Sequence, residues 1–228
     1  MVERRLERWV RKEILNQPAY SVKSVKTPIK LNQNESPVDW PKSLRKELLS
    51  NLYDHQWNRY PDINAESLRK KLAKKLQLSQ KQMIIGKGSN EVIQAITTAT
   101  LTNGDVVCHL SPTFAIYSML SMQRGAEVIQ SVLDSEFNVV IDDFIDKAAS
   151  AKLTFIANPN SPTGILLPIE LIRKVAEVTS GLVIVDEAYI DFSGGSALPL
   201  IRNFDNLIIT RTFSKAWSLA AFRLGYGI

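Results

Sequence analysis

Lys215 stands in Thr210-Arg211-Thr212-Phe213-Ser214-Lys215-Ala216, directly after the apolar run Leu207-Ile208-Ile209. A lysine among Thr, Ser and Arg at the end of an apolar run is badly placed for core packing. Its primary amine can form an imine with an aldehyde, and the hydroxyls of Thr212 and Ser214 with the Arg223 guanidinium could hold a phosphate beside it. Upstream, Leu182-Val183-Ile184-Val185-Asp186-Glu187-Ala188-Tyr189 reads as a buried strand ending in a carboxylate. An ionised Asp there costs several kcal/mol, about the penalty of burying one unpaired charge, unless a cation meets it.

An amine, a phosphate cradle and a carboxylate awaiting a cation are the three needs of pyridoxal 5'-phosphate (PLP), whose pyridinium nitrogen would be the partner of Asp186.

The elements that must position these groups alternate along the chain. Strand-like runs are Met83-Ile84-Ile85, 106–110, 128–133, 153–157, 182–185 and 207–209, with helical stretches at 90–101, 113–122 and 168–178. Near-continuous apolar strands bounded by helices imply an α/β fold: a mainly parallel sheet of the seven-stranded type with helices on both faces. Before it, 16–41 holds four prolines among polar residues and reads as an extended arm, followed by a short helix over 43–52. Asn64 is placed to cap a helix reaching Leu76. The division expected is 1–60 as arm and short helix, and 61–228 as the cofactor-binding large domain. Leu224–Ile228 reads as a further strand inside which the chain stops, so a C-terminally incomplete chain is expected.

Composition narrows the classes. With 45% hydrophobic residues among 228, the chain can bury a substantial core. Nothing approaches the ~18 uninterrupted apolar residues of a membrane span. Residues 1–15 are charged, with Val2, Leu6, Trp9, Val10 and Ile14 on one helical face, and lack the apolar stretch of a secretory signal. One cysteine, Cys108, excludes a disulfide framework and fits a reducing compartment, the cytoplasm. The net charge of +5 is spread out, and its densest group (Lys70, Lys71, Lys74, Lys75) lies opposite Leu68, Leu72 and Leu76. That is a solvated helix face, not a nucleic-acid track. His55 and His109 have no Cys or carboxylates at ligand spacing, so no metal site is expected.

Two further segments bear on the chemistry. Gly86-Lys87-Gly88-Ser89-Asn90 lies between a strand and a helix, where backbone amides and Ser89 could meet a phosphate. Alone it also reads as a plain turn. Asn158-Pro159-Asn160-Ser161-Pro162-Thr163-Gly164 reads either as a rigid turn or as an Asn amide and Ser hydroxyl at the carboxyl end of a parallel strand, where α/β sheets bind ligands. Phe114 could simply be core.

Together these stretches resemble the fold type I PLP-dependent aminotransferases, most closely the histidinol-phosphate aminotransferase group. Leu31 to Pro37, Asn58-Arg59-Tyr60-Pro61, Gly88 to Glu91, Asn158 to Gly164, Asp186 to Tyr189, and Arg211 to Lys215 with Arg223 all take part. The resemblance implies that Lys215 carries the imine and acts as general base and acid. It pairs Asp186 with the pyridine nitrogen, hydrogen-bonds Tyr189 to the 3'-oxygen and stacks Phe114 on the ring. Ser89, Asn90, Thr212, Ser214 and Arg223 surround the phosphate. Tyr60 reaches the phosphate from a neighbouring subunit of a homodimer, and Asn34, with Tyr60, lies near the substrate. Where the family usually has Asn before Pro-Thr-Gly, this chain has Ser161 after Asn160, and either could contact the 3'-oxygen. The family's small C-terminal domain, with its substrate arginine, is expected to be absent. The implied reaction is transamination between glutamate and imidazole acetol phosphate, giving histidinol phosphate and 2-oxoglutarate. Alternatives are another aminotransferase or a decarboxylase of a phosphorylated amino acid, or an inactive PLP-fold protein.

Overall fold

The structure, a computed structural model, describes residues 8–18 and 27–228. Of the helix expected over 1–15, residues 1–7 lie outside the described part; the rest is helical only in α1 (Lys12–Leu15). Residues 19–26 of the arm also lie outside it. Next come α2 (Lys42–Tyr53), in which no residue is buried, and α3 (Glu66–Leu76). Asn64 does not cap α3. The Asp62 carboxylate does, accepting from the Glu66 and Asn64 amides, because Ala65 takes the left-handed conformation at the helix start. On α3 Leu72 and Ala73 are buried and Lys70, Lys71, Lys74 and Lys75 face solvent, as a solvated face requires.

Among the described residues seven strands form one sheet: β1 (Ile84–Gly86), β2 (Val106–Ser111), β3 (Glu127–Val132), β4 (Leu153–Ala157), β5 (Leu182–Asp186), β6 (Leu207–Thr212) and β7 (Gly225–Gly227). Their order is β1-β7-β6-β5-β4-β2-β3. β2 to β6 run parallel, and β7 is antiparallel to both β1 and β6. Between the strands lie α4 (Ser89–Thr100), α5 (Ile116–Met122), α6 (Ile141–Ala149) and α7 (Ile169–Val178). The helix expected over 113–122 begins only at Ile116, and α6 is an element that the sequence reading did not single out.

Period-two alternation explains why the central strands read as continuous apolar runs. Val183 and Val185 of β5, with Ile156 and Ile209, pack with Phe144 and Ala148 of α6 and Ile172 and Val175 of α7. Ile184, with Leu153, Phe155 and Ala157, packs on the opposite face with Ile93 of α4 and Tyr117 and Leu120 of α5. Both faces are therefore dry, and a strand buried on both faces needs apolar residues at odd and even positions alike. Full burial of such side chains is worth about 1.5–3 kcal/mol each.

Cys108 of β2 is wholly buried, and burial pushes its thiol up to about 12. The native protein should stay unmodified by a thiol-directed disulfide reagent at pH 8, while the denatured chain reacts fully. Rapid modification of the folded protein would contradict this placement of β2.

Candidate active site

The alternation that fills the two cores also sorts the chemistry at the strand ends. Asp186 follows Ile184 on the α4–α5 face, opposite Ala157 of β4 and Thr210 of β6. A cleft of about 760 Å³ opens there, at the carboxyl ends of the parallel strands. Its wall includes Asp186, Tyr189, Thr212, Ser214 and Lys215, with Phe114 and Tyr117 from the loop and helix after β2. Gly88, Ser89 and Asn90 enter from the β1–α4 turn, and Arg223 from the turn before β7.

On one side of the cleft a polar cradle forms. The Thr212 hydroxyl donates to Ser214 Oγ at 3.0 Å, and Arg223 Nη1 to the same oxygen at 3.3 Å. Gly88, at φ +82°, begins α4, and a Cβ there would stand 3.0 Å from Arg223 Nη2. A side chain at this position would push into the guanidinium. A Cβ at Gly225 would collide with the Gly88–Ser89 backbone, so that glycine lets β7 pass under the turn. Helix N-terminal amides, hydroxyls and a guanidinium suit a phosphate.

Lys215 is half-buried. Its Nζ donates to the Gln33 carbonyl oxygen at 2.6 Å and lies 5.5 Å from the Tyr189 ring centre. Asn34 Nδ2 donates to the Tyr189 hydroxyl at 2.9 Å, so the arm reaches the cleft wall. Further along the arm, the Trp40 indole N–H donates to the Trp217 carbonyl oxygen at 2.7 Å, which ties this segment to the stretch just after Lys215.

Asp186 is only 4% exposed, yet no cation pairs with it among the described residues. Oδ2 accepts from the Tyr117 hydroxyl at 2.8 Å and Oδ1 from the Thr210 hydroxyl at 3.0 Å. Burial raises its carboxyl above the usual range, against the pull of these donors.

Asn160 and Ser161, the two alternatives for one contact, have different surroundings. The Asn160 amide donates to the Pro112 carbonyl and Thr163 hydroxyl and accepts from Thr113, which holds the loop together. Ser161 lines the large cleft, and both residues line a smaller adjoining pocket with Asn34 and Tyr189. Tyr60 is not on this cleft; it is 99% exposed. Tyr117, Thr210 and the Gln33 carbonyl were not anticipated. Pairing β5 with β6 would have exposed Thr210, since it lies opposite Asp186.

A half-buried amine, a carboxylate without a cation and an anion cradle on one cleft fit PLP: each charged or reactive part of that molecule has a counterpart here. No group of His, Cys, Asp and Glu suited to a metal is found among the described residues.

Glu187 points to the other face of β5. Its carboxylate is buried and pairs with Arg211 at 2.7 Å, while accepting from Ser196 and the Ala197 amide. Burial pushes the Glu187 carboxyl up, and the Arg211 charge opposes that rise. Glu187→Ala would leave Arg211 without its carboxylate and should destabilise the protein by about 3–5 kcal/mol in a denaturant titration. A loss below about 1 kcal/mol, the range of an exposed pair, would show that the pair is dispensable.

The sequence profile described as aminotransferase class I and II matches residues 26–228. A histidinol-phosphate aminotransferase of Thermoanaerobacter pseudethanolicus is 38% identical over 225 residues, covering 98% of this chain and 64% of that protein. One of Thermococcus kodakarensis is 38% identical over 219 residues, covering 96% and 64%. The chain thus spans about 64% of the length of these curated relatives. Among solved structures, histidinol-phosphate aminotransferase from Sinorhizobium meliloti in complex with pyridoxal-5'-phosphate superposes with a TM-score of 0.78 at 26% identity, covering 86% of this chain and 54% of that one.

Proposed function

We propose, for a chain that belongs to the class I and II aminotransferases, that it transfers an amino group between an amino acid and an oxo acid with PLP held in the large cleft. The observation that carries this reading is the convergence of Lys215, Asp186 and the Ser89–Ser214–Arg223 cradle on one wall. When bound, PLP supplies an aldehyde that bonds amines reversibly and a ring that accepts an electron pair.

The chain's residues divide the remaining tasks. Arg223, Ser89, Asn90, Thr212 and Ser214 bind the phosphate. Asp186 holds a proton at the ring nitrogen by meeting it with a negative charge. Tyr189 and Ser161 face the 3'-oxygen, and Phe114 covers the ring. Lys215 Nζ takes the proton from the substrate Cα and returns one as general acid. Asn34, fixed on the Tyr189 hydroxyl, orients the substrate beside it.

Histidinol phosphate and 2-oxoglutarate are the proposed pair, supported by the relatives' names and the 36–38% identity over nearly the whole chain. We place the arm and short helix at 1–60 and the cofactor-binding domain at 61–228. A homodimer completes the site. Trp57, Tyr60 and Ile63 are 81%, 99% and 93% exposed in a single chain, a run of apolar surface suited to a second subunit and not to water. No described helix is long and apolar enough to cross a membrane. The cytoplasm is the proposed location, in keeping with a lone buried thiol.

Borohydride reduction of PLP-loaded protein, followed by peptide mapping, should label Lys215, and Lys215→Ala should lose both label and imine absorbance. Label on Lys87 instead would overturn the assignment. Incubation of the loaded protein with histidinol phosphate and 2-oxoglutarate should yield glutamate. Turnover of other amino donors with none of histidinol phosphate would overturn the substrate but keep the cofactor.

Asp186→Ala should cost far more in turnover than in folding, because the hydroxyls of Tyr117 and Thr210 leave the charge of this carboxylate for the cofactor. Unchanged turnover per folded molecule would make Asp186 structural.

A further inference from the structure

Tyr117 is the largest fully buried side chain among the described residues, and the reading above leaves it without a task. It is 1% exposed, and its ring is stacked on Phe155 at 4.8 Å with only 4° between planes. Phe114 meets it edge-on at 5.7 Å. The ring is thus clamped from two sides on α5, and its hydroxyl has one partner, Asp186 Oδ2 at 2.8 Å. A phenol held this way donates to a fixed oxygen in a fixed direction.

We infer that Tyr117 is a positioning residue, whose hydroxyl keeps the Asp186 carboxylate ionised and aimed at the cleft and so sets the acidic limit of cofactor binding. This rests on the reading of the cleft as a PLP site. No cation stands beside Asp186 among the described residues. Only neutral donors stabilise its charge: Tyr117 from α5, Thr210 from β6 and the Ala188 amide. Removing a donor from a buried carboxylate favours its neutral form. A neutral Asp186 can no longer meet a protonated ring nitrogen with charge.

The other groups around Asp186 do not supply a substitute. Glu187, next in the chain, raises its proton affinity further, and its negative charge is matched by Arg211 on the opposite face. Tyr189 is held by Asn34. His109 of β2, its ring 6.4 Å from that of Tyr117, is kept neutral by burial and bonded to the Leu110 carbonyl and Ser118. The cleft cations Lys215 and Arg223 bond to the Gln33 carbonyl and to Ser214. Tyr117 itself stays protonated, because burial first and then Asp186 push its hydroxyl well up.

The test uses Tyr117→Phe, which keeps the stacked ring and deletes only the hydroxyl. In the full chain carrying carboxyl-13C aspartate, without PLP, the Asp186 resonance (assigned by its loss in Asp186→Asn) should titrate about one pH unit higher in the variant than in the parent. The PLP dissociation constant measured against pH should show its acid limb displaced upward by the same amount, so that binding within that limb is about tenfold weaker. Thr210→Val should move both readouts in the same direction. Incorporation of 3-fluorotyrosine at position 117, a stronger donor with almost unchanged shape, should move them the opposite way and covers the case in which Tyr117→Phe does not fold. An Asp186 midpoint unmoved in the folded variants overturns the inference. A moved midpoint with an unmoved acid limb also overturns it, since cofactor binding would then not depend on the pair. Failure of the parent to bind PLP at any pH overturns the proposed function instead, while the carboxyl titration still decides whether Tyr117 governs Asp186.

Discussion

Asp186 ends β5 and Glu187 follows it, and the alternation of the chain sends the two acids to opposite faces of a sheet that is dry on both. Each must be compensated by whatever its own face provides. Glu187 finds a guanidinium, a hydroxyl and a backbone amide, which together satisfy an ion pair in place. Asp186 finds a phenol and a threonine hydroxyl, enough to hold a carboxylate but not to neutralise it. One acid is thereby closed off as scaffold. Its neighbour is left with charge to offer to something that enters the cleft.

The arrangement of the rest follows from that asymmetry. Because α4, α5, α6 and α7 cover the two sheet faces, polar groups gather where the parallel strands end. β5 delivers Asp186 and Tyr189, and β6 delivers Thr212, Ser214 and Lys215 to the same edge. β7 runs antiparallel beside β6 and brings Arg223 back to that edge from the preceding turn. The absence of side chains at Gly88 and Gly225 lets the β1–α4 turn lie against both. The Glu187–Arg211 pair ties β5 to β6 from behind, holding Asp186 and Lys215 in a common frame.

What was legible in the sequence is what depends on local pattern. Continuous apolar runs gave away the central strands, and a carboxylate or a lysine ending such a run marked the site directly. The polar ends Asn158–Gly164, Asp186 and Lys215 were readable as one edge because parallel strands present like ends together. Residues whose roles depend on docking were not readable. Tyr117 looks like one more core aromatic until its ring is found on Phe155 of β4 and its hydroxyl on Asp186 of β5. The bonds of Asn160 to Thr113 and Pro112 depend on the loop after β2, which nothing local to Asn158–Gly164 reveals. α6 is hard to read because the residues before it, 134–138, are polar but for Phe137 and interrupt the pattern that introduces it. The cap of α3 was assigned to Asn64 because nothing local reveals that Ala65 is left-handed.

The arm's attachments have a kinetic side. Gln33, Asn34, Ser36 and Trp40 bond to Lys215, Tyr189, Ser218 and Trp217 across separations of 182, 155, 182 and 177 residues. Contacts of such range form only after large loops have closed, so they come late in folding and do not guide the sheet's assembly. Most lie at the exposed surface and rest on single hydrogen bonds, and so belong to the least stable layer of the molecule. The same contacts are therefore the first to open in the native state. Hydrogen exchange over residues 33–40 should be governed by local release, at a free energy well below that which protects β4 and β5.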